Sequence, residues 1–125
     1  MNYLLDTHVL VDLLIAPQRV EQSVRRLLVD SLNDVAVSAV SGWEIAIKTS
    51  MAKLSLPGDL EAELLRAGIR SFEITLTDGL RAGALPRHHN DPFDRMLVAQ
   101  AQTRGMTLVT RDAMLAAYGV PILAA

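Results

Sequence analysis

A chain of 125 residues, half of them hydrophobic, is long enough to bury a core of its own, and residues 1–125 read as one domain. The absence of cysteine excludes disulfides and thiolate zinc sites and requires no oxidising compartment. A net charge of −2, from 12 basic and 14 acidic residues, is not that of a protein coating nucleic acid through bulk charge. The N-terminal apolar run is broken by Asp6 and Asp12 before it reaches signal or membrane-span length, so the chain reads as cytoplasmic.

Tyr3 to Leu5 reads as a short buried strand ending at Asp6, followed by a helix from Thr7 through Val9 to Ile15 that Pro17 ends. Val20 to Leu32 follows as a helix with Val24, Leu27, Leu28 and Leu32 as its apolar stripe, and Asn33-Asp34 makes a turn. A second strand, Val35 to Val37, leads through Ser38 into a helix carrying Trp43, Ile47 and Met51. Leu54 to Gly58 is a linker, and Asp59 to Ala67 an amphipathic helix with Leu60, Leu64 and Leu65 on one side. Phe72 to Leu76 is expected as a third strand, Thr77 to Leu85 as a helix, and Pro86 to Asn90 as a loop. Asp91-Pro92 then gives an N-cap and a first helical residue, and Gly105 after Arg104 gives the stop. Met106 to Thr110 is a buried strand, Ala113 to Tyr118 a short helix closed by Gly119, and Val120 to Leu123 an edge strand. Alternating β and α elements predict an α/β fold of three layers, with a mainly parallel sheet between helices.

Four acids stand out in this frame. Asp6 and Asp112 directly follow strands, Asp94 lies in the first turn of a helix, and Glu44 sits four residues after Val40 on a face that should point inward. Open parallel sheets place ligands beyond the carboxyl ends of their strands, which is where these positions fall. Each acid also has a plain structural explanation: Asp6 and Asp112 as caps, Asp94 as the reciprocal member of a capping box, Glu44 as a partner of Ser41 or Lys48. Taken together, however, clustered carboxylates without basic partners are costly unless a cation sits among them. Hard oxygen ligands suit Mg²⁺ or Mn²⁺, and such an ion hydrolyses phosphodiesters well by acidifying a bound water and neutralising phosphate charge.

Around the acids, Arg87, His89, Arg95, Arg111 and Lys48 are candidate contacts for substrate phosphates, and Thr7, Ser38 and Thr110 are hydroxyls that could steady the carboxylates. His88 and His89 are adjacent and lack zinc-ligand spacing, so neither is read as a metal ligand.

LLDTHVL from Leu4, SxxSxWEIAIK from Ser38 to Lys48, DPFDRMLVAQA from Asp91 and LVTRD ending at Asp112 resemble, in order and spacing, the PIN domain and within it the VapC-like toxins. The resemblance implies that Asp6, Glu44, Asp94 and Asp112 bind Mg²⁺ or Mn²⁺ and support endoribonuclease cleavage leaving 5′-phosphate and 3′-hydroxyl ends. It also implies an RNA substrate, a homodimer and a VapB-like antitoxin that blocks the site. The apolar stripes of the Val20–Leu32 and Asp59–Ala67 helices make them the expected groove for that antitoxin. Two positions depart from the family pattern: Asn90 replaces an arginine common in HHRDPFDR, and Asp12 stands where an apolar or aromatic residue is usual. Two rivals belong to other classes. One is a binding module that has lost catalysis; the other is a receiver-like phosphoacceptor, which the lack of an evident lysine after a late strand disfavours.

Overall fold

The computed structural model describes residues 1–125. Five strands alternate with helices: β1 (Asn2–Leu5), α1 (Thr7–Ile15), α2 (Gln22–Val29), β2 (Asp34–Ser38), α3 (Ala39–Ser50), α4 (Leu60–Ala67), β3 (Arg70–Phe72), α5 (Leu76–Ala84), α6 (Pro92–Arg104), β4 (Thr107–Thr110) and β5 (Ile122–Ala124). Every strand pairing is parallel and the spatial order is β3-β2-β1-β4-β5. The chain therefore builds outward from β1 in one direction, then returns to the other side of β1 for β4. That reversal opens a crevice between the carboxyl ends of β1 and β4, where a parallel sheet accepts a ligand.

Side chains alternate along the strands and so feed two cores. Tyr3, Leu5, Val35, Val37 and Val109 pack against Val9, Leu10, Val24, Ile45 and Leu64 on one face. Leu4, Ala36 and Leu108 pack against Leu97, Val98, Ala101 and Leu115 on the other. Two opposed cores make the three-layer α/β/α arrangement, and α6 is buried over so much of its circumference that Leu97, Val98, Ala99, Gln100 and Ala101 are all inaccessible.

The helix signals around α6 hold at both ends. Asp91 Oδ1 accepts the N–H groups of Phe93 (2.8 Å) and Asp94 (3.3 Å), Pro92 is the first helical residue, and Gly105 closes the helix in the left-handed region at φ 62°. Elsewhere the structure corrects the expectations. The third strand is Arg70–Phe72, not Phe72 to Leu76, because Thr75 and Asp78 form a reciprocal capping box that draws Leu76 into α5. The second helix ends at Val29, leaving Leu32 exposed beyond it, and Ala113–Tyr118 is 3₁₀ rather than α. On α3 the buried face is Val40, Ser41, Glu44 and Ile45, while Trp43 and, just past the helix end, Met51 are exposed; on α4, Leu64 is buried and Leu65 exposed. No helix is long and apolar enough to cross a membrane.

Candidate active site

The crevice at the β1/β4 switch is a cleft of about 700 Å³ whose wall includes Asp6, Asp94, Thr110, Arg111 and Asp112. Asp6 enters it because β1 pairs with β4 as far as the Asp6 N–H, which donates to Val109 O at 2.9 Å. Its two carboxylate oxygens have separate duties: Oδ1 caps α1 through His8 N (2.7 Å), and Oδ2 accepts from Thr110 Oγ1 (2.8 Å). Thr110 Oγ1 in turn accepts the Asp112 N–H (3.0 Å), so one hydroxyl ties the first acid to the loop carrying the last. Asp112 Oδ1 caps the 3₁₀ turn through Met114 N (3.0 Å), while Oδ2 lies 2.8 Å from His89 Nε2. Both acids thus use one oxygen as a cap and have the other steadied at the cleft by a side chain, Thr110 for Asp6 and His89 for Asp112.

Asp94 is different. The reciprocal capping-box role is not its own, since the Asp91 N–H donates to His89 Nδ1 (3.0 Å) and Asp94 Oδ2 has His89 Nε2 at 3.4 Å. Burial, then the Asp6 and Asp91 charges, push the Asp94 carboxyl up to about 7; His89 pulls the other way and Glu44 adds to the rise. Glu44 is buried and its Oε2 takes Lys48 Nζ at 2.8 Å, so the i,i+4 pair anticipated from the sequence is present, and the Ser41 cap is not: Ser38 Oγ caps α3 through Val40 N (3.1 Å). Ser41 Oγ instead accepts from Thr7 Oγ1 (2.9 Å), buttressing α1 against α3.

His89, Asp94 and Asp112 each offer a ligand-type atom within 4.8 Å of the others. Asp6 and Glu44 act on Asp94 through their charge. A partly buried carboxyl held above its usual range by burial and neighbouring carboxyls is the electrostatic mark of a seat that could take a cation, and its carboxylate oxygens are hard donors.

The basic residues divide. Arg111 and Lys48 line the cleft, joined by Arg19 and Lys53, which the sequence reading did not single out. Arg111 reaches back to Asp12 (Nη1–Oδ2 2.5 Å) and Arg19 O (2.9 Å), so the unusual Asp12 is the buried anchor of a cleft arginine. Arg95 is a correction. It is only 9 % exposed, and its guanidinium donates to the carbonyls of Ala82, Gly83, Leu85, Pro86 and His89, which leaves it nothing for a phosphate. Arg87 is exposed on the α5–α6 loop outside the cleft wall.

A family model for the PIN domain matches residues 3–121. The chain belongs to the PIN-domain family. Its similarity to Ribonuclease VapC22 of Mycobacterium tuberculosis is 31% identity over 121 residues, covering 94% of this chain and 92% of the relative. Among solved structures, VapBC2 from Rickettsia felis bound to a promoter DNA fragment superposes with a TM-score of 0.71 at 15% identity, covering 98% of both chains. FitAcB from Neisseria gonorrhoeae gives 0.67 at 23% identity, covering 98% of this chain and 96% of the other. A toxin–antitoxin complex from Klebsiella pneumoniae gives 0.67 at 20% identity, with 98% and 96% coverage. The all-parallel five-stranded sheet is therefore the PIN fold, with the acids at the end of the sheet where the strand order reverses.

Proposed function

We propose that this PIN domain is a divalent-metal-dependent endoribonuclease and the toxin of a toxin–antitoxin pair, working in the cytoplasm. The observation that carries the reading is the gathering of Asp6, Asp94 and Asp112 on one cleft at the sheet's strand-order reversal, in a chain 31% identical to a ribonuclease; the Asp94 carboxyl, raised to about 7 by burial and by neighbouring acids, agrees with it. Asp6, Asp94 and Asp112, with Glu44 behind them, would hold Mg²⁺ or Mn²⁺. When bound, the ion supplies Lewis acidity toward the phosphate and acidifies water for hydrolysis.

The chain's own residues do the rest. Asp6 and Asp112 are pre-set by backbone caps and by the Thr110 hydroxyl, so little side-chain entropy is lost when a substrate arrives. Arg111, Lys48, Lys53 and Arg19 give a basic side to the same cleft, a fit for the phosphates flanking the one to be cut. With four acids set apart from the −2 total, the remainder of the chain carries +2, which allows a mildly basic rim.

Two partners follow from the same reading. The solved neighbours include VapBC and other toxin–antitoxin complexes, and a VapB-like antitoxin is the partner proposed here. A recess of about 240 Å³ between α1 and α4, lined by Leu14, Leu56, Pro57, Leu60 and Glu63, supports α4 as part of its seat. A homodimer is the second, supported by the outward-facing apolar residues Trp43, Leu76 and Leu80.

Incubating antitoxin-free protein with a mixed RNA pool, with Mg²⁺ or Mn²⁺ and with EDTA, tests the function. Cleavage that needs the ion and is lost in Asp6→Asn is expected; RNA binding with no cleavage under any condition would move the chain to the binding-module reading.

A further inference from the structure

His89 is held more firmly than a surface-loop histidine needs to be. Its backbone N–H donates to Tyr118 Oη (3.0 Å), and its carbonyl accepts from Arg95 Nη1 (3.2 Å). Tyr118 Oη donates to Pro86 O (2.9 Å), and the remaining Arg95 donors take the carbonyls that end α5. One buried guanidinium and one phenol therefore fix the α5–α6 loop from both sides, at the cost of burying a charged group among carbonyl oxygens. A loop with a purely connecting role would not call for such an anchor.

The ring itself has one orientation consistent with these contacts. The Asp91 N–H donates to Nδ1 at 3.0 Å, a contact that takes the lone pair there and, in the neutral ring, puts the hydrogen on Nε2. Nε2–H points at Asp112 Oδ2 (2.8 Å) and has Asp94 Oδ2 at 3.4 Å. A nitrogen bearing that hydrogen has no lone pair for an ion. The second oxygen of Asp112 is already held by Met114 N, so both ends of that carboxylate are fixed before any ion or RNA arrives.

We propose that His89 is a positioning residue of the acid cluster and not an ion ligand: its Nε2–H, directed by the Asp91 N–H and locked by the Arg95–Tyr118 clamp, sets the orientation and separation of the Asp112 and Asp94 carboxylates. The inference rests on the proposed ion-binding function of those acids. It assigns Arg95 and Tyr118 a part in the site although neither lines the cleft. Hydrogen-bond partners that orient ligating side chains are worth about 10- to 100-fold in ion affinity or activity.

The test reads the ring first and activity last. A long-range ¹H–¹⁵N correlation spectrum of the histidine imidazoles resolves which nitrogen carries the hydrogen. For His89 it should report Nε2–H without ion and the same with saturating Mg²⁺. A hydrogen on Nδ1 in either state, or its loss from Nε2 when Mg²⁺ binds, would overturn the proposal. Calorimetric titration with Mn²⁺ should then show His89→Ala weakened about 10- to 100-fold, and His89→Gln, whose amide can still donate, recovering most of that loss. Wild-type affinity in the His89→Ala protein would also overturn it. Wild type that binds Mn²⁺ and obeys both results yet cuts no RNA would leave His89's role standing and refute the nuclease reading instead.

Discussion

The two ends of α6 meet carboxyls in opposite circumstances, one partly buried and one fully buried. At its N-terminal end Asp94 faces Asp6, Asp91 and Glu44, and its carboxyl is raised to about 7. At its C-terminal end Arg104 donates Nη1 (3.0 Å) and Nη2 (2.9 Å) to Asp78 of α5, whose Oδ2 also accepts from Gln100 Nε2 (3.1 Å) and Thr75 N (3.0 Å). The Arg104 hydrogen bond, against the opposing effect of burial, holds the Asp78 carboxyl well below the usual carboxylate range. Asp78 has an arginine cation bonded to it within the chain and serves the fold, whereas Asp94 has only the His89 ring at 3.4 Å against several carboxyls. An acid cluster at the open end of a sheet is informative only when its counter-charge is missing.

The largest effect that would sharpen this contrast is on cleavage. Asp94→Asn should reduce RNA cleavage by at least about a hundredfold. Without ion at pH 7.5 it should also melt at a higher temperature than wild type, because it removes an unfavourable buried charge. Asp78→Ala should do the reverse, losing about 2 to 4 kcal/mol of stability in denaturant titration while leaving cleavage per folded molecule intact. Equal effects of the two substitutions on stability would break the comparison.

Acid titration gives a second handle of intermediate size. The folded Asp94 carboxyl lies above its unfolded value of 3.8, so its contribution to stability is fully present below about pH 4 and is lost as pH rises to about 7. Asp78 is depressed, so its contribution is present above 3.8 and is lost as pH falls through that region and below. Melting curves of the ion-free protein from pH 4 to 8 should carry a decline that disappears in Asp94→Asn, and Mn²⁺ binding should tighten as pH rises through 7.

The smallest expected effect concerns the basic side of the cleft. Arg111→Gln should weaken binding of single-stranded RNA in EDTA and lower the slope of log affinity against log salt by roughly 0.7, the loss of about one phosphate contact. An unchanged slope in a fluorescence anisotropy titration would mean that Asp12 fully occupies this arginine.

Local chemistry carried much of this architecture. Asp91-Pro92 and Gly105 marked both ends of α6 because caps and glycine stops act within a turn. Phe72, Ile74 and Leu76 alternate like a strand, but Ile74 and Leu76 are exposed and the Thr75–Asp78 box wins, so local apolar pattern misled where a cap competed with it. In the candidate site, Asp6, Asp94 and Asp112 were legible as strand-end and helix-start acids, and the structure gathers them on one cleft. The fate of the arginines was not. Arg95 follows Asp94 in sequence, yet one step along a helix turns a side chain by about 100°, sending its guanidinium into the α5–α6 loop. The Asp12–Arg111 and His89–Asp112 contacts join residues 99 and 23 positions apart, distances no spacing rule reaches.

The most direct test of the missing-cation account is the melting temperature at pH 7.5 of wild type and Asp94→Asn, each with and without Mn²⁺. The account predicts that the ion raises the wild-type midpoint and leaves the variant nearly unmoved. An ion that stabilises both equally, or neither, would contradict it.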